Sequence, residues 1–283
     1  MKKTAIFAHY DKNAVIEDYV IYYLEGLKKV AEDIIFVSDC DLSEKELEKI
    51  SSITAHIIAQ KHEEYDFGSY KRGFLYALEQ GLLDDADECI WANDSCFAPL
   101  FSFGEMFDKM ESQNVDFWGV TENKIGLEDF NYPHIQSCFI VFRKQVFTDE
   151  RFIDFVKNIT KQPTKHDIIS KYEIGLSQYL TSLGCRYSCY IPTYDEVDNS
   201  LINKWDEIIT KYRCPLAKIS LLRQEPLSLK KIINKYTNYP VIFIKIANNI
   251  QQLGFYLLEM RRNLIKIQFS KRKLCLLGKW HKF

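Results

Sequence analysis

The tripeptide Asn93-Asp94-Ser95 ends the apolar run Cys89–Ala92. A carboxylate flanked by an amide and a hydroxyl is a set of hard oxygen donors. Such a set suits Mg2+ or Mn2+ bridging two phosphates, with Asp94 as the metal ligand. The same residues are ordinary at a strand-end turn, where Asp94 or Ser95 caps the next helix. A second constellation lies in YDFGSYKRGF, where Asp66, Gly68 and the Lys71-Arg72 pair stand at the opening of a helix. Helix-terminal amides with cations nearby suit a nucleotide diphosphate, and equally make a solvated first turn. Third, Thr121 and Glu122 close another apolar run, and His134, Gln136 and Ser137 put polar groups on a stretch otherwise apolar. Polar groups at a sheet rim hydrogen-bond substrate hydroxyls, although a lone His there is more often structural. Fourth, Glu173 lies among Ile169, Tyr172, Ile174 and Leu176 on an amphipathic segment. A carboxylate beside an apolar face loses hydration and becomes a better general base; on the outer face it simply favours the helix dipole.

The elements that must position these groups alternate. Short apolar runs at Thr4–Tyr10, Asp33–Asp39, Ile53–Gln60, Glu88–Asp94 and Val115–Glu122 read as strands. Segments of helical period separate them, including GSYKRGFLYALEQGLL from Gly68 and SFGEMFDKMESQ from Ser102. HIQSCFIVF is one further strand running into a helix, KHDIISKYEIGLSQYLTSLG a helix stopped by Gly184, and CRYSCYI a last strand. This alternation predicts an open, mostly parallel α/β sheet with flanking helices, in which ligands bind at the carboxyl ends of strands. Asp94 stands at such an end. From Leu227 the pattern is helical, so residues 1–225 are read as one domain and 226–283 as a helical, basic C-terminal appendage.

Bulk properties exclude several classes. The chain has 283 residues, 47% hydrophobic and 27% charged, enough for a core that needs no disulfide or metal staple. A net charge of −2 leaves no nucleic-acid footprint. Eight scattered cysteines form no C-x-x-C pair, which points to reduced thiols in the cytoplasm. No G-x-G-x-x-G follows the first strand, where AHYDKN stands instead, so a dinucleotide oxidoreductase is discounted. The late apolar stretch VIFIKIANNIQQLGFYLL is too polar for a membrane span. Residues 261–283 hold eight Lys and Arg and no Asp or Glu, interleaved with Leu, Ile, Phe and Trp. That mixture reads as an interfacial segment on an anionic membrane surface, or as a helix neutralising the acidic body.

In order, DFGSYKRGFLYAL, CIWANDSCFAPL, DFWGVTEN, HIQSCFIVFRKQVF, YEIGLSQYLTSLG and PLAKISLLR resemble the rhamnan synthesis protein F family over roughly residues 3–225. The resemblance implies a GT-A-like (Rossmann-type) nucleotide-sugar fold. It also implies transfer of a sugar, L-rhamnose from dTDP-L-rhamnose first among them, to a growing cell-surface polysaccharide or lipid-linked glycan. Enzymes of that fold carry Asp-x-Asp where this chain has Asn93-Asp94-Ser95, so the expected divalent metal has one carboxylate instead of two. By the same resemblance Asp66, Gly68, Lys71, Arg72 and Asn93 to Ser95 hold the donor. Thr121, Glu122, His134, Gln136 and Ser137 face the acceptor or sugar, and Glu173 is the base of an inverting displacement. The expected location is the cytoplasmic face of the membrane. The competing expectations are another nucleotide-sugar donor, or a non-catalytic scaffold in a glycan-assembly complex.

Overall fold

The computed structural model describes residues 1–124, 132–193 and 199–244. Its centre is a seven-stranded sheet: β1 Lys3–His9, β2 Asp33–Ser38, β3 His56–Ala59, β4 Glu88–Asn93, β5 Phe117–Gly119, β6 Phe139–Arg143 and β7 Tyr187–Cys189. The spatial order is β3-β2-β1-β4-β6-β5-β7, with β6 antiparallel to both neighbours and all other pairs parallel. The open, mostly parallel sheet expected from the alternation is therefore present. β4 is buried along its whole length, as a central strand covered on both faces must be.

Alternate side chains of β1 feed two layers. Ile6 and Ala8 join the cluster beneath helix α2 (Tyr65–Glu79), with Phe67, Tyr70, Phe74 and Ala77. Phe7 points the other way, its ring 5.0 Å from Tyr23 of helix α1 (Asp18–Lys28). Trp91 anchors the first layer: it stacks on Tyr70 at 4.8 Å and meets Phe142 edge-on at 4.9 Å. Helix α2 lies this near the sheet because residue 73 is glycine. A Cβ there would come within 2.4 Å of Ile6 Cγ2 and 3.0 Å of Val37 Cγ2.

Register fixes the site. His9 pairs with Ser38 and Ala8 with Asn93, so β1, β2 and β4 end level at one sheet edge. Parallel strands ending together gather the loops that follow them, here carrying Tyr10, Asp39 and Asp94.

Three details differ from the reading of the sequence. Helix α2 begins at Tyr65 rather than at Gly68, whose N–H already donates to Glu64 O at 3.2 Å. Gly68 is a packing glycine, since a Cβ would sit 2.2 Å from Glu64 Cβ. The stretch read as one strand from His134 breaks in two. His134–Ile135 pairs with Glu122–Asn123, and β6 starts only at Phe139. The cause is local: Gln136 N–H goes to Thr121 O at 3.0 Å and Ser137 N–H to Glu173 Oε1 at 3.1 Å, which takes those amides from the ladder. Finally, the first compact unit runs Met1–Phe243, not to residue 225. Helix Pro226–Tyr236 buries Leu229 and Ile233 in it, and Tyr239 packs edge-on against Tyr22 at 5.1 Å. The second unit is Ile244–Phe283, and the basic tail lies outside the described residues.

Candidate functional site

Asp94 leaves β4 where the ladder has run out. Its own N–H still bonds to Ala8 O at 3.2 Å, while its side chain turns back to accept the Tyr10 N–H at 2.8 Å through Oδ2. The side chain is only 14% exposed. Burial pushes its pKa up to about 8, against the pull of the Tyr10 N–H, and the negative charges of Asp66 and Asp11 push in the same direction. His9 Nε2 lies 3.9 Å from Asp94 Oδ2, but burial lowers the imidazole pKa to about 4. The His9–Asp94 contact is thus not an ion pair; His9 Nδ1 bonds to Ser38 Oγ at 2.9 Å.

Asn93 organises the neighbours of Asp94. Its amide NH2 donates to Asp66 Oδ2 at 2.9 Å, which brings the first turn of α2 over the end of β4. Its amide oxygen accepts from the Ser95 N–H at 3.1 Å and from Ser95 Oγ at 2.5 Å. Its backbone N–H bonds to Cys138 O at 3.3 Å. One residue earlier, Ser137 accepts Tyr70 OH on its carbonyl at 2.9 Å and gives its N–H to Glu173. The 137–138 backbone therefore ties the strand-end cluster to Glu173.

Glu173 sits in a wide, π-helical stretch, Ile169–Ile174, between an α-turn at Lys165–Ile168 and an α-helix at Gly175–Ser182. Such stretches recur at functional sites. The capping box of Thr164 and Asp167 fixes where this helical run starts. Tyr172 and Ile174 are buried, and Glu173 is half-buried between them.

The other residues expected here are distributed differently. Lys71 donates to Ile159 O at 2.7 Å, and Arg72 is held by Glu64 at 2.8 Å and by Gly68 O at 3.0 Å. Both cations are committed to protein partners. Thr121 and Gln136 come together, Oγ1 donating to Oε1 at 2.7 Å. Glu122 instead accepts from Tyr187 OH and from Thr193 Oγ1. His134 is buried and bonds to Tyr132 O at 2.8 Å, a backbone-anchoring role. A cavity of 560 Å³ opens elsewhere, between Pro99, Phe101, Arg213 and Tyr236, and none of the expected site residues lines it.

One residue at the site went unread. Lys218, in the two-residue ribbon Ala217–Lys218 paired against Cys96–Phe97, extends its ammonium to within 3.0 Å of Ser95 Oγ. Burial works to lower its pKa, but Cys138, Cys96, Glu173 and Asp66 around it raise it overall. A lone Lys inside the apolar run Pro215–Ile219 was the available signal.

The protein's own side chains do not by themselves assemble a divalent-ion site. Among the described residues no three His, Cys, Asp or Glu side chains converge. The oxygens of Asn93 and Ser95 are spent on each other, one oxygen of Asp66 is bonded to Asn93, and an ammonium already stands at Ser95.

Three comparisons place the chain. The uncharacterized protein y4gN of Sinorhizobium fredii is 27% identical over 180 residues, 64% of this chain and 46% of that protein, so the chain spans about half the length of this relative. Among solved structures, a putative nucleotide-diphospho-sugar transferase from Desulfovibrio desulfuricans matches 83% of this chain and 97% of its own, at 14% identity and a TM-score of 0.40. TarS 1–349 of S. aureus, in complex with UDP, matches 83% of this chain and 70% of its own, at 12% identity and a TM-score of 0.41. The family model described as rhamnan synthesis protein F matches residues 34–277, most of the sequence, and the chain belongs to that family.

Proposed function

We propose that this protein is an inverting glycosyltransferase that moves a sugar, L-rhamnose from dTDP-L-rhamnose first among the candidates, to a growing cell-surface or lipid-linked glycan. The observation that carries the reading is the link through residues 137–138, whose backbone bonds both Asn93, the neighbour of Asp94 and partner of Asp66, and Glu173. Asp94 hydrogen-bonds hydroxyls of the sugar nucleotide through its carboxyl group. Thr121, Gln136 and Ser137 line the sugar and acceptor side. The acceptor oxygen attacks the anomeric carbon, and the bond from that carbon to the diphosphate oxygen breaks, its electron pair leaving on the diphosphate. Glu173 takes the acceptor proton. Attack opposite the leaving group inverts the anomeric centre.

The test is turnover of a panel of radiolabelled nucleotide sugars with lipid-linked acceptors, read as sugar incorporated and as donor hydrolysed. Turnover of a dTDP-deoxysugar supports the reading. Absence of both transfer and hydrolysis across the panel overturns it and leaves the scaffold role.

The basic tail makes this a membrane-surface enzyme in our reading. No helix among the described residues is long and apolar enough to cross a bilayer. Each Lys or Arg near an anionic surface contributes about 1 kcal/mol, and residues 261–283 hold eight of them. Co-sedimentation with anionic liposomes at low salt is expected for the full chain and lost for a chain ending at Glu259. Equal sedimentation of the two forms rejects the anchor.

A further inference from the structure

The proposed reaction leaves a nucleoside diphosphate carrying new negative charge, and some cation must meet it. The three obvious suppliers are missing. Lys71 and Arg72 are tied to Ile159 O and Glu64, and the oxygen donors around Asp94 do not assemble an ion site. One cation does stand at the strand end. We infer that Lys218 is the built-in counter-charge of this site, binding the diphosphate of the donor and of the leaving group in place of a divalent metal. This rests on the glycosyltransferase reading above.

Geometry supports the assignment. The Lys218 ammonium is 3.0 Å from Ser95 Oγ, one residue past Asp94, and the ribbon that carries it is pinned to the same loop. Lys218 lies opposite Cys96 in the ladder, and Ile219 N–H bonds to Ser95 O at 3.0 Å. The backbone on both sides of the lysine is thus fixed to the donor motif. Lys218 and Ser95 are both half-buried. An ammonium has three donor hydrogens, and the Ser95 bond uses one. Burial works against the ammonium, but Cys138, Cys96, Glu173 and Asp66 around it raise its pKa overall and hold it charged. A pre-placed ammonium at the leaving oxygens stabilises developing charge without reorganising, which is the form of electrostatic catalysis a metal otherwise provides. No bond to Lys218 is made or broken; the electron pair released at the anomeric carbon ends on the diphosphate oxygen that it faces.

The experiment is calorimetric binding of dTDP and UDP to the full chain, in EDTA and then in Mg2+ or Mn2+. In EDTA the native protein is expected to bind at least one of them. Lys218→Met should weaken that binding about 10–100-fold, the scale of lost charge-assisted hydrogen bonds, and Lys218→Arg should keep it within about threefold. Binding by the native protein that appears only with metal overturns the inference while sustaining the glycosyltransferase reading, and this arm needs no variant to fold. Unchanged binding by a folded Lys218→Met, checked by circular dichroism, also overturns it. No binding of either nucleotide under any condition removes the donor site itself and the inference with it.

Discussion

Asp94→Asn will melt at a higher temperature than the native chain at neutral pH and will transfer sugar at least about 100-fold more slowly. The two effects have one origin. The native carboxyl holds its proton up to about pH 8, far above the 3.8 of an ordinary aspartate, because it is buried. The folded state therefore binds that proton more tightly than the unfolded chain between those values. Stability from this group is fully present below pH 4 and declines as pH rises toward 8. The linkage is worth about 1.4 kcal/mol for each pH unit that separates the folded and unfolded pKa values. Asparagine keeps the acceptor for the Tyr10 N–H and has no charge to desolvate. A gain of about 2–4 °C follows for each kcal/mol recovered in a chain of this size. The activity is lost because an amide N–H is a weaker donor to the sugar nucleotide than the O–H of the protonated carboxyl. Melting curves at pH 5 and pH 8 check the first claim, since the variant should gain at pH 8 and gain little at pH 5. Turnover of labelled donor checks the second, and full activity in Asp94→Asn removes Asp94 from the donor site.

Glu173→Gln will lower kcat by about 10²–10⁴-fold with donor affinity preserved, the usual contribution of a positioned general base. Glutamine retains an acceptor for the Ser137 N–H, so the link between Glu173 and the strand end survives the change. What disappears is the ability to take a proton. Single-turnover kinetics with saturating donor separate the chemical step from binding. A loss below about threefold would make Glu173 a structural helix residue and move the search to Asp116, Glu122 and Asp167, of which Asp167 already serves in a capping box.

Much of this site could be read in the chain because it lies on elements of strong period. The run Cys89–Ala92 is uniformly apolar, as a doubly covered strand requires, so its abrupt polar end marks Asp94 without any structure. Glu173 stands out for the converse reason, a carboxylate inside an amphipathic repeat. What could not be read depends on long-range closure. Lys218 meets Ser95 across 123 residues of sequence, through a ribbon two residues long that carries no periodic signal. The misplacement of Gly68 has a related cause. The helix starts at Tyr65 with no side-chain cap, so nothing local announced its first turn. His134 lay in a run apolar enough to pass for one continuous strand, and only the diversion of the Gln136 and Ser137 amides, a tertiary event, breaks it. Lys71 and Arg72 show the limit of counting charges: their partners, Ile159 O and Glu64, are set by packing.

The wide turn at Ile169–Ile174 makes the aim of Glu173 a matter of residue count. An α-helix advances about 100° per residue, and a π turn absorbs one residue more than an α turn of the same span. Take away one surface position of this stretch, such as Lys171, and the helix closes to ordinary geometry with its two ends still in register, while the residues inside the stretch, Glu173 among them, are re-aimed. Tyr172 and Ile174 are locked in the core on either side, so the carboxylate has no freedom to compensate by swinging alone. The direction in which the base points is thus set by a single-residue surplus in the chain, a difference that substitution cannot reproduce and that only an insertion or deletion can write or erase.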